Sequence, residues 1–536
     1  MRSSFLGLEV SKRTIQLSQK ALDITGSNLS NSKTEGYTRQ AVDVASSYFY
    51  EYANWQTPTS RMTLAGQGAM GLGVDQIRDP YIDKRYRESA CYVAEYATTR
   101  DVLREVETVL DNIMNEGLTS SIDTFKDSLS KYAERPDNEE LASIVRNNAY
   151  SFTNLLHSYQ SQFTDLKESN LESLQALIGD TNDIIDQIVN YNKSIVKEYS
   201  VMAAGKQWRG ESVTGSYGPN EMLDARNMLL DELACKGNIT VHDNADGSVR
   251  VTMDGVEIIN GENYEHLYMK ASTKKDGDYP SELLRDFDAY GAAVLKWTSG
   301  DDAAPTSGEL RSYLDILNGN GVYSTGYQND SYGIPYYEST IDALVHTFGN
   351  FMNRFNGAVD EEGRVIDASR LLFCTQQYSE GTETYEDLDM TAKNIRIADA
   401  WLKDATMIGE VYSEEKEEWT LSLDGNHINQ IIESINKKSL EFGEKGDYEG
   451  TTYDYLLFVF NRIGQNIKFN DNRYNAAYDT ANALLDSRDA VSGVSETEEG
   501  INMLTYQNWY NASSRMMTAL DDALDRLINN TGRVGL

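Results

Sequence analysis

Apolar residues recur at seven-residue intervals at both ends of this chain, and the interval predicts a long helix at each. Near the C-terminus Met503, Tyr510, Met517 and Leu524 form one row, and Tyr506, Ser513, Leu520 and Leu527 form the row three residues on. Together they make an a/d seam of the coiled-coil kind. Near the N-terminus Leu8, Ile15, Leu22 and Leu29 keep the same interval, and no proline interrupts the chain before the turn around Gly36. A helix of about thirty residues is roughly 45 Å long, too long for its stripe to hide in a small core. Each terminal helix therefore needs a partner of similar length, and the other terminus is the obvious candidate. The N-terminal helix also carries Val10, Leu17 and Ile24, which lie about 160° to 200° around the wheel from its first row. Two nearly opposite apolar faces need two neighbours, the C-terminal helix of the same chain and another subunit.

Between the ends the period changes twice. The first helix should stop near Asn28 to Asn31, where SNLSNSKTEGYTRQ collects Ser, Asn and Gly, because short polar side chains bond the backbone groups that a helix leaves open. The alternation of Val42 and Val44 predicts an extended segment, and a glycine-rich stretch then leads into a helical region from about Tyr81. Its clearest stripe is Leu174, Leu177, Thr181, Ile184, Ile188, Tyr191 and Ile195, with Pro136 and the glycines near 205 to 218 as punctuation. From Ile239 to Ile258 the alternation is that of short strands, with turns at Asp246-Gly247 and Asp254-Gly255. Helical patterns return at Leu310 to Leu317, Ile341 to Phe355, Ile428 to Ile435 and Tyr453 to Ile467, with a Tyr- and Gly-rich irregular excursion at 319–338.

The expected fold is thus mainly α with a small β insert: terminal helices forming a coiled-coil-like rod, a nested helical domain and an outer antiparallel β domain. The segments are an N-terminal coiled-coil helix at 1–45, two halves of a helical domain at 46–235 and 305–490, a β-rich insert at 236–304, and a C-terminal coiled-coil helix at 491–536. The symmetric order suggests that each domain is built from both halves of the chain, with the middle residues farthest from the termini.

Composition narrows the classes. A net charge of −36, with Asp and Glu spread along the chain, reads as a solvated surface and disfavours nucleic acid, because no basic face is visible to neutralise phosphates. No run of eighteen apolar residues is present, so no membrane span is expected. The first sixteen residues lack the apolar core and cleavage site of a secretory signal. Cys91, Cys235 and Cys374 are odd in number and lack CxxC spacing, which argues for small apolar packing residues over disulfides or zinc.

The segment SNLSNSKTEGYTRQ resembles the signature of the flagellar rod, hook and hook-associated proteins, in which a helix ending in Asn-x-x-Asn is followed by Thr-x-Gly-Tyr. Its closing Arg39-Gln40 points to the hook-associated branch at the junction of hook and filament. Four further matches keep the family's order: GLGVDQIRDPYIDKRYR, NEMLDARNMLLDEL, TSGELRSYLDI and the stretch from SGVSETEEG to the C-terminal seam. Glu221 and Asn227 stand where the acidic pattern usually has Asp, and Trp509 occupies a usually smaller position. The resemblance implies a structural, secreted part of the bacterial flagellum that polymerises through its terminal helices into a ring of its own subunits. It further implies hook protein on one side and a second hook-associated junction protein on the other. Passage through the flagellar export apparatus, without a cleaved signal peptide and with a dedicated export chaperone at the C-terminal region, is also implied.

The expected assembly residues are the apolar positions named above on both terminal helices, among them Leu520 and Leu527, together with Gly36, Tyr37 and Arg39 as a contact loop. Arg39 could face a neighbour's carboxylate, although a surface pair contributes only about 0–1 kcal/mol. Tyr37 could equally pack beneath a simple helix exit. Tyr506, Trp509 and Tyr510 could anchor an interface or belong to the intrachain seam. Neither HExxH, GxSxG nor a Walker A loop is present, and no catalytic residue, metal or cofactor is expected. His242 and His346 read as isolated, and Asp243, Asp246 and Asp254 as hairpin carboxylates without the EF-hand order.

Overall fold

A computed structural model describes residues 4–46, 68–112, 117–209, 218–272, 279–360, 364–375, 388–413, 418–436, 440–442 and 448–530. The first helix, α1 (Ser4–Ser30), ends where the Asn-rich exit predicts. Asn31 bonds back to the Ser27 carbonyl through both its backbone N–H and its side chain. Gly36 then takes φ +75°, a conformation in which a Cβ is strained. Strands β1 (Gln40–Ser46) and β2 (Ala69–Gln76) pair antiparallel with a bulge at Asp43/Val44. The described part of the glycine-rich stretch is thus a strand, and the glycines have a packing reason. A Cβ at Gly71 would lie 3.2 Å from Leu17 and one at Gly68 3.1 Å from Val10, so bare backbone lets the hairpin rest on α1.

The predicted helical region resolves into α2 (Pro80–Asn112), α3 (Leu118–Glu134), α4 (Glu139–Arg209) and α5 (Asn220–Lys236). Pro136 falls between α3 and α4. The stripe read on α4 is core: Leu174, Thr181, Ile188 and Ile195 are fully buried. A four-stranded antiparallel sheet follows, ordered β3 (Ile239–Asp243), β4 (Val249–Met253), β5 (Val256–Asn260), β6 (Asn263–Tyr264). Asp246 closes its first turn by accepting from the Ser248 N–H and hydroxyl. Next come the β7 (Leu267–Met269) and β8 (Leu295–Trp297) pair with α6 (Glu282–Tyr290) between them. Helices α7 (Glu309–Asn318), α8 (Ile334–Phe355), α9 (Asp399–Lys403) and α10 (Asn426–Ile435) follow. Three hairpins accompany them: β9 (Phe373–Thr375) with β10 (Ile395–Ile397), β11 (Glu410–Ser413) with β12 (Glu418–Leu421), and β13 (Leu440–Phe442) with β14 (Tyr448–Gly450). The chain ends in α11 (Thr452–Ser492) and α12 (Glu496–Asn530).

The 319–338 stretch is irregular but tightly packed. A Cβ at Gly319 would come within 2.2 Å of the Asp315 carbonyl, and one at Gly333 within 2.1 Å of the Ile316 carbonyl, so only glycine allows these backbones to meet.

Contacts divide the chain into two units, one made of residues 1–93, 179–266 and 476–536 and the other of 94–178 and 267–475. In the second, Phe125, Phe348, Phe373 and Trp401 pack edge to face in sequence, with Phe152 tilted against Phe348, within one apolar core. The first holds both terminal helices and the four-stranded sheet. These limits differ from the pattern breaks at 45, 235, 304 and 490, and the expected insert 236–304 is shared between the units. The reason is physical: the boundaries at 93, 178 and 475 fall inside α2, α4 and α11, where a continuous helical period is blind to a change of packing partner. Two buried polar residues tie the sheet to the helices of the first unit. Asn192 of α4 bonds the Val249 N–H and the Gly261 carbonyl, and Arg226 of α5 bonds Asn192 and the Gly247 carbonyl.

Candidate assembly surface

Helices α1 and α12 pack against each other antiparallel. Gly7 lies against Leu520 at one end, and Asn28 donates to Glu499 at the other. The face of α1 in this contact is neither of the two apolar faces read from the sequence. Gly7, Ser11, Thr14, Ser18, Ala21, Thr25 and Asn28 alternate at spacings of four and three, and Ser11, Ser18, Ala21, Thr25 and Asn28 are all buried. This is an a/d seam of small residues, level with Met503, Tyr506, Tyr510, Ser513, Met517 and Leu520 of α12. Small against large allows the axes to approach closely. The hydroxyls of Ser11, Thr14, Ser18 and Thr25 bond the carbonyl one turn back, so none is buried unsatisfied.

The other predicted positions then separate by neighbour. Leu17 and Ile24 are buried and Val10 half-buried, on the side covered by the β1–β2 hairpin. Leu8, Ile15 and Leu22 are half-buried and Leu29 is 38% exposed. Met503, Tyr506, Tyr510, Met517, Leu520 and Leu524 are half-buried along the α12 seam, while Leu527 is exposed. Tyr506 packs edge to face on Trp509, with centroids 5.5 Å apart, and burial together with the Glu499 charge pushes its hydroxyl pKa up.

At the base of the helix pair the predicted contact loop turns inward. Asn28 is buried, and its amide makes four bonds: Nδ2 donates to the Gln40 carbonyl at 2.9 Å and to Glu499 at 3.3 Å, and Oδ1 accepts from the Gln40 N–H at 3.1 Å and the Tyr37 hydroxyl at 2.9 Å. That is the full capacity of a carboxamide, which explains asparagine here. Arg39, expected toward a neighbour, instead pairs within its own chain with Glu499 at 2.9 Å and Glu498 at 2.8 Å, and its N–H donates to the Ser492 carbonyl. Glu499 is 2% exposed, and a carboxylate so far from water requires these donors. Tyr37 is half-buried and Gly36 exposed.

Asp224 of α5 accepts from the Thr38 N–H at 3.2 Å and from Gln76 at 2.8 Å. Burial pushes its pKa up, and the bonds from Thr38 pull it back. Asn220 bridges Gln40 and the Val74 carbonyl. Arg78 joins Asp83 to Thr38. One layer away, Asp231 sits between Arg87 at 2.7 Å and Arg488 at 2.6 Å, with Arg488 stacked on Tyr86. Four of the five sequence matches therefore meet in one polar hub that clamps the base of the terminal helix pair. The fifth lies in the second unit, where Glu95 accepts from the Gly308 N–H and Ser312 bonds Thr99.

The partners Asn220, Asp224, Gln76 and Glu499 were not singled out as site residues. Their signal was present, since each lies within a matched motif, but sequence order does not show that the motifs converge. Among the described residues no cluster of His, Cys, Asp and Glu is arranged to hold a metal ion, and no helix is long and apolar enough to cross a membrane. Cys91 and Cys374 are buried and Cys235 is half-buried, and none of the three is in a disulfide.

Comparison with known proteins gives a consistent result. The family described as flagellar hook-associated protein FlgK helical domain matches residues 103–358, and flagellar basal body rod FlgEFG protein C-terminal matches 489–530. The chain is 26% identical to flagellar hook-associated protein 1 of Bacillus subtilis, over 99% of each chain. To the protein of that name in Salmonella typhimurium it is 19% identical, over 96% of this chain and 98% of that one. A solved structure of the flagellar hook junction protein FlgK from Burkholderia pseudomallei aligns with TM-score 0.51 and 12% identity, covering 76% of this chain and all of that one. At that identity the structural likeness speaks for the fold alone. Shared motifs, a likeness spanning both chains from end to end and a similar fold lead to one conclusion: the chain is similar over its whole length to flagellar hook-associated protein 1.

Proposed function

We propose that this protein forms the layer that joins hook to filament in the bacterial flagellum, polymerising through α1 and α12. The observation that carries the reading is the end-to-end likeness to hook-associated protein 1. The hub agrees with it, because a clamp at the base of two long helices lets them transmit force into the body of the subunit. The role is mechanical rather than catalytic. The layer matches two polymers of different stiffness, with hook protein on one side and the second hook-associated protein on the other. Export proceeds through the flagellar channel without removal of a leader, and a chaperone holds the α12 region until delivery. An amphipathic α12 separated from α1 presents an apolar seam that needs such cover.

Imaging of cells lacking this protein tests the reading. Hooks without filaments are expected, with filaments restored by the full chain; normal filaments in its absence would overturn it. Truncation after residue 495 should abolish pull-down of the chaperone by the purified chain.

A further inference from the structure

Within the second unit a cavity of about 70 Å³ lies where the starts of α3 and α11 meet the end of α10. Its lining includes Thr119, Asp123 and Lys126 of α3, Asn436 after α10, and Thr451 and Thr452 at the start of α11. The hydroxyls of Thr119 and Thr452 are buried with no hydrogen-bond partner among the described residues, and Thr452 as a whole is 2% exposed. Thr451 caps α11 by accepting from the Asp454 N–H, so the Thr452 and Tyr453 N–H groups, which no helical carbonyl reaches, need partners outside the helix. Gly117 gives α3 no side-chain cap either. Buried polar groups without partners are costly, and a space of this size holds a few water molecules or one tetrahedral ion of similar bulk.

Charge selects the ion. Helix starts carry partial positive charge and open N–H groups, and Lys126 adds an ammonium, 3.4 Å from the Asp123 carboxylate. Asp123 opposes an anion, but its side chain is 65% exposed, where water weakens the repulsion. Asn436 marks the last turn of α10, whose open carbonyls accept and cannot donate. Donors from two helices and acceptors from the third suit an ion that both accepts and donates, as hydrogen phosphate does and sulfate does not. We propose that this cavity binds inorganic phosphate. The Thr119 and Thr452 hydroxyls and the start of α11 donate to its oxygens, Lys126 offsets its charge, and the end of α10 accepts from its P–OH. Bound there, the ion ties together three helices that are far apart in sequence and stabilises the second unit by mass action. The site lies wholly within that unit and does not depend on the junction role.

The test is thermal melting and calorimetric titration of the purified full chain with inorganic phosphate, with sulfate and chloride at equal ionic strength as controls. Phosphate should raise the melting midpoint along a saturating curve, sulfate should do so less, and chloride only by screening the net charge. Thr452→Val keeps the side-chain shape and removes a hydroxyl that has no partner, so its melt in chloride should match that of the parent. Its affinity for phosphate should fall about tenfold or more, as expected for a lost bond to a charged group, and Lys126→Met should weaken binding to a similar degree. A phosphate response that never saturates, that equals the response to sulfate, or that survives in both variants would overturn the proposal, because exclusion of such salts from the protein surface stabilises a chain without any site. A Thr452→Val melt well below the parent in chloride would also overturn it, by showing that the hydroxyl already has a partner. Phosphoserine should fail to bind; titration as tight as that of phosphate would overturn the assignment to the free ion in favour of a phosphorylated partner.

Discussion

At the scale of residues, the protein spends its polar side chains on locating backbone. Asn28 satisfies both peptide groups of Gln40 at once, so Asn28→Ala leaves a buried N–H and a buried carbonyl without partners, at a cost of about 2–4 kcal/mol. Urea denaturation of the purified chain checks this. Asn28→Asp should fare no better, since it loses the donor and places a second carboxylate beside Glu499. A different residue contributes a pH-dependent term to stability. Burial raises the pKa of Asp342 to about 7, with Glu338 and Asp389 adding to the rise, while the bond from the Ala392 N–H and the Lys167 charge oppose it. The folded state thus keeps this proton over a range in which the unfolded chain has lost it. Stability falls as pH rises from about 4 to 7 and stays reduced above. Asp342→Asn can still accept from Ala392 and should stabilise the chain at pH 8 by about 2–4 kcal/mol, with little gain at pH 4. Thermal melts at the two pH values decide it.

At the scale of elements, the seam between α1 and α12 explains the spacing of both helices. A bulky residue in the small row should wedge them apart: Ser18→Leu is expected to cost about 1–3 kcal/mol and to expose α12 to protease. Met517→Asp places a charge in the facing row. It should leave the second unit folded, with its cooperative melt intact, and block incorporation into flagella; loss of the whole melt would show that the seam belongs to the monomer core. The seven-residue rows on both helices were plain in the sequence, as were the exit at Asn28 and the two β turns. The small seam was not, because Ser, Thr and Gly at heptad spacing look polar until a partner helix shows why they are small. Arg39 was legible as important but not as intrachain, since its carboxylates lie more than 450 residues away.

At the scale of the molecule, a charge of −36 means that copies repel as they assemble. Raising salt from about 0.05 to 0.5 M shortens the screening length several-fold, so assembly monitored by light scattering should strengthen with salt. Weakening would indicate that ion pairs, not apolar rows, hold the layer. The unassembled chain lacks neighbouring copies along its terminal helices, so limited proteolysis should cut first within 1–45 and 495–536. Protection of the same segments is expected after assembly.

The sequence by itself determined the terminal helices, the main helical runs and strands β3 to β5, and it carried the resemblance to the hook-associated proteins, because hydrophobic period and turn chemistry are local properties that short stretches of chain display. Only the tertiary structure decided which face of α1 meets α12, where the two units part within continuous helices, and that four separate motifs form one hub. Those facts depend on contacts between residues hundreds of positions apart, and a one-dimensional pattern carries no record of which partner fills a given face.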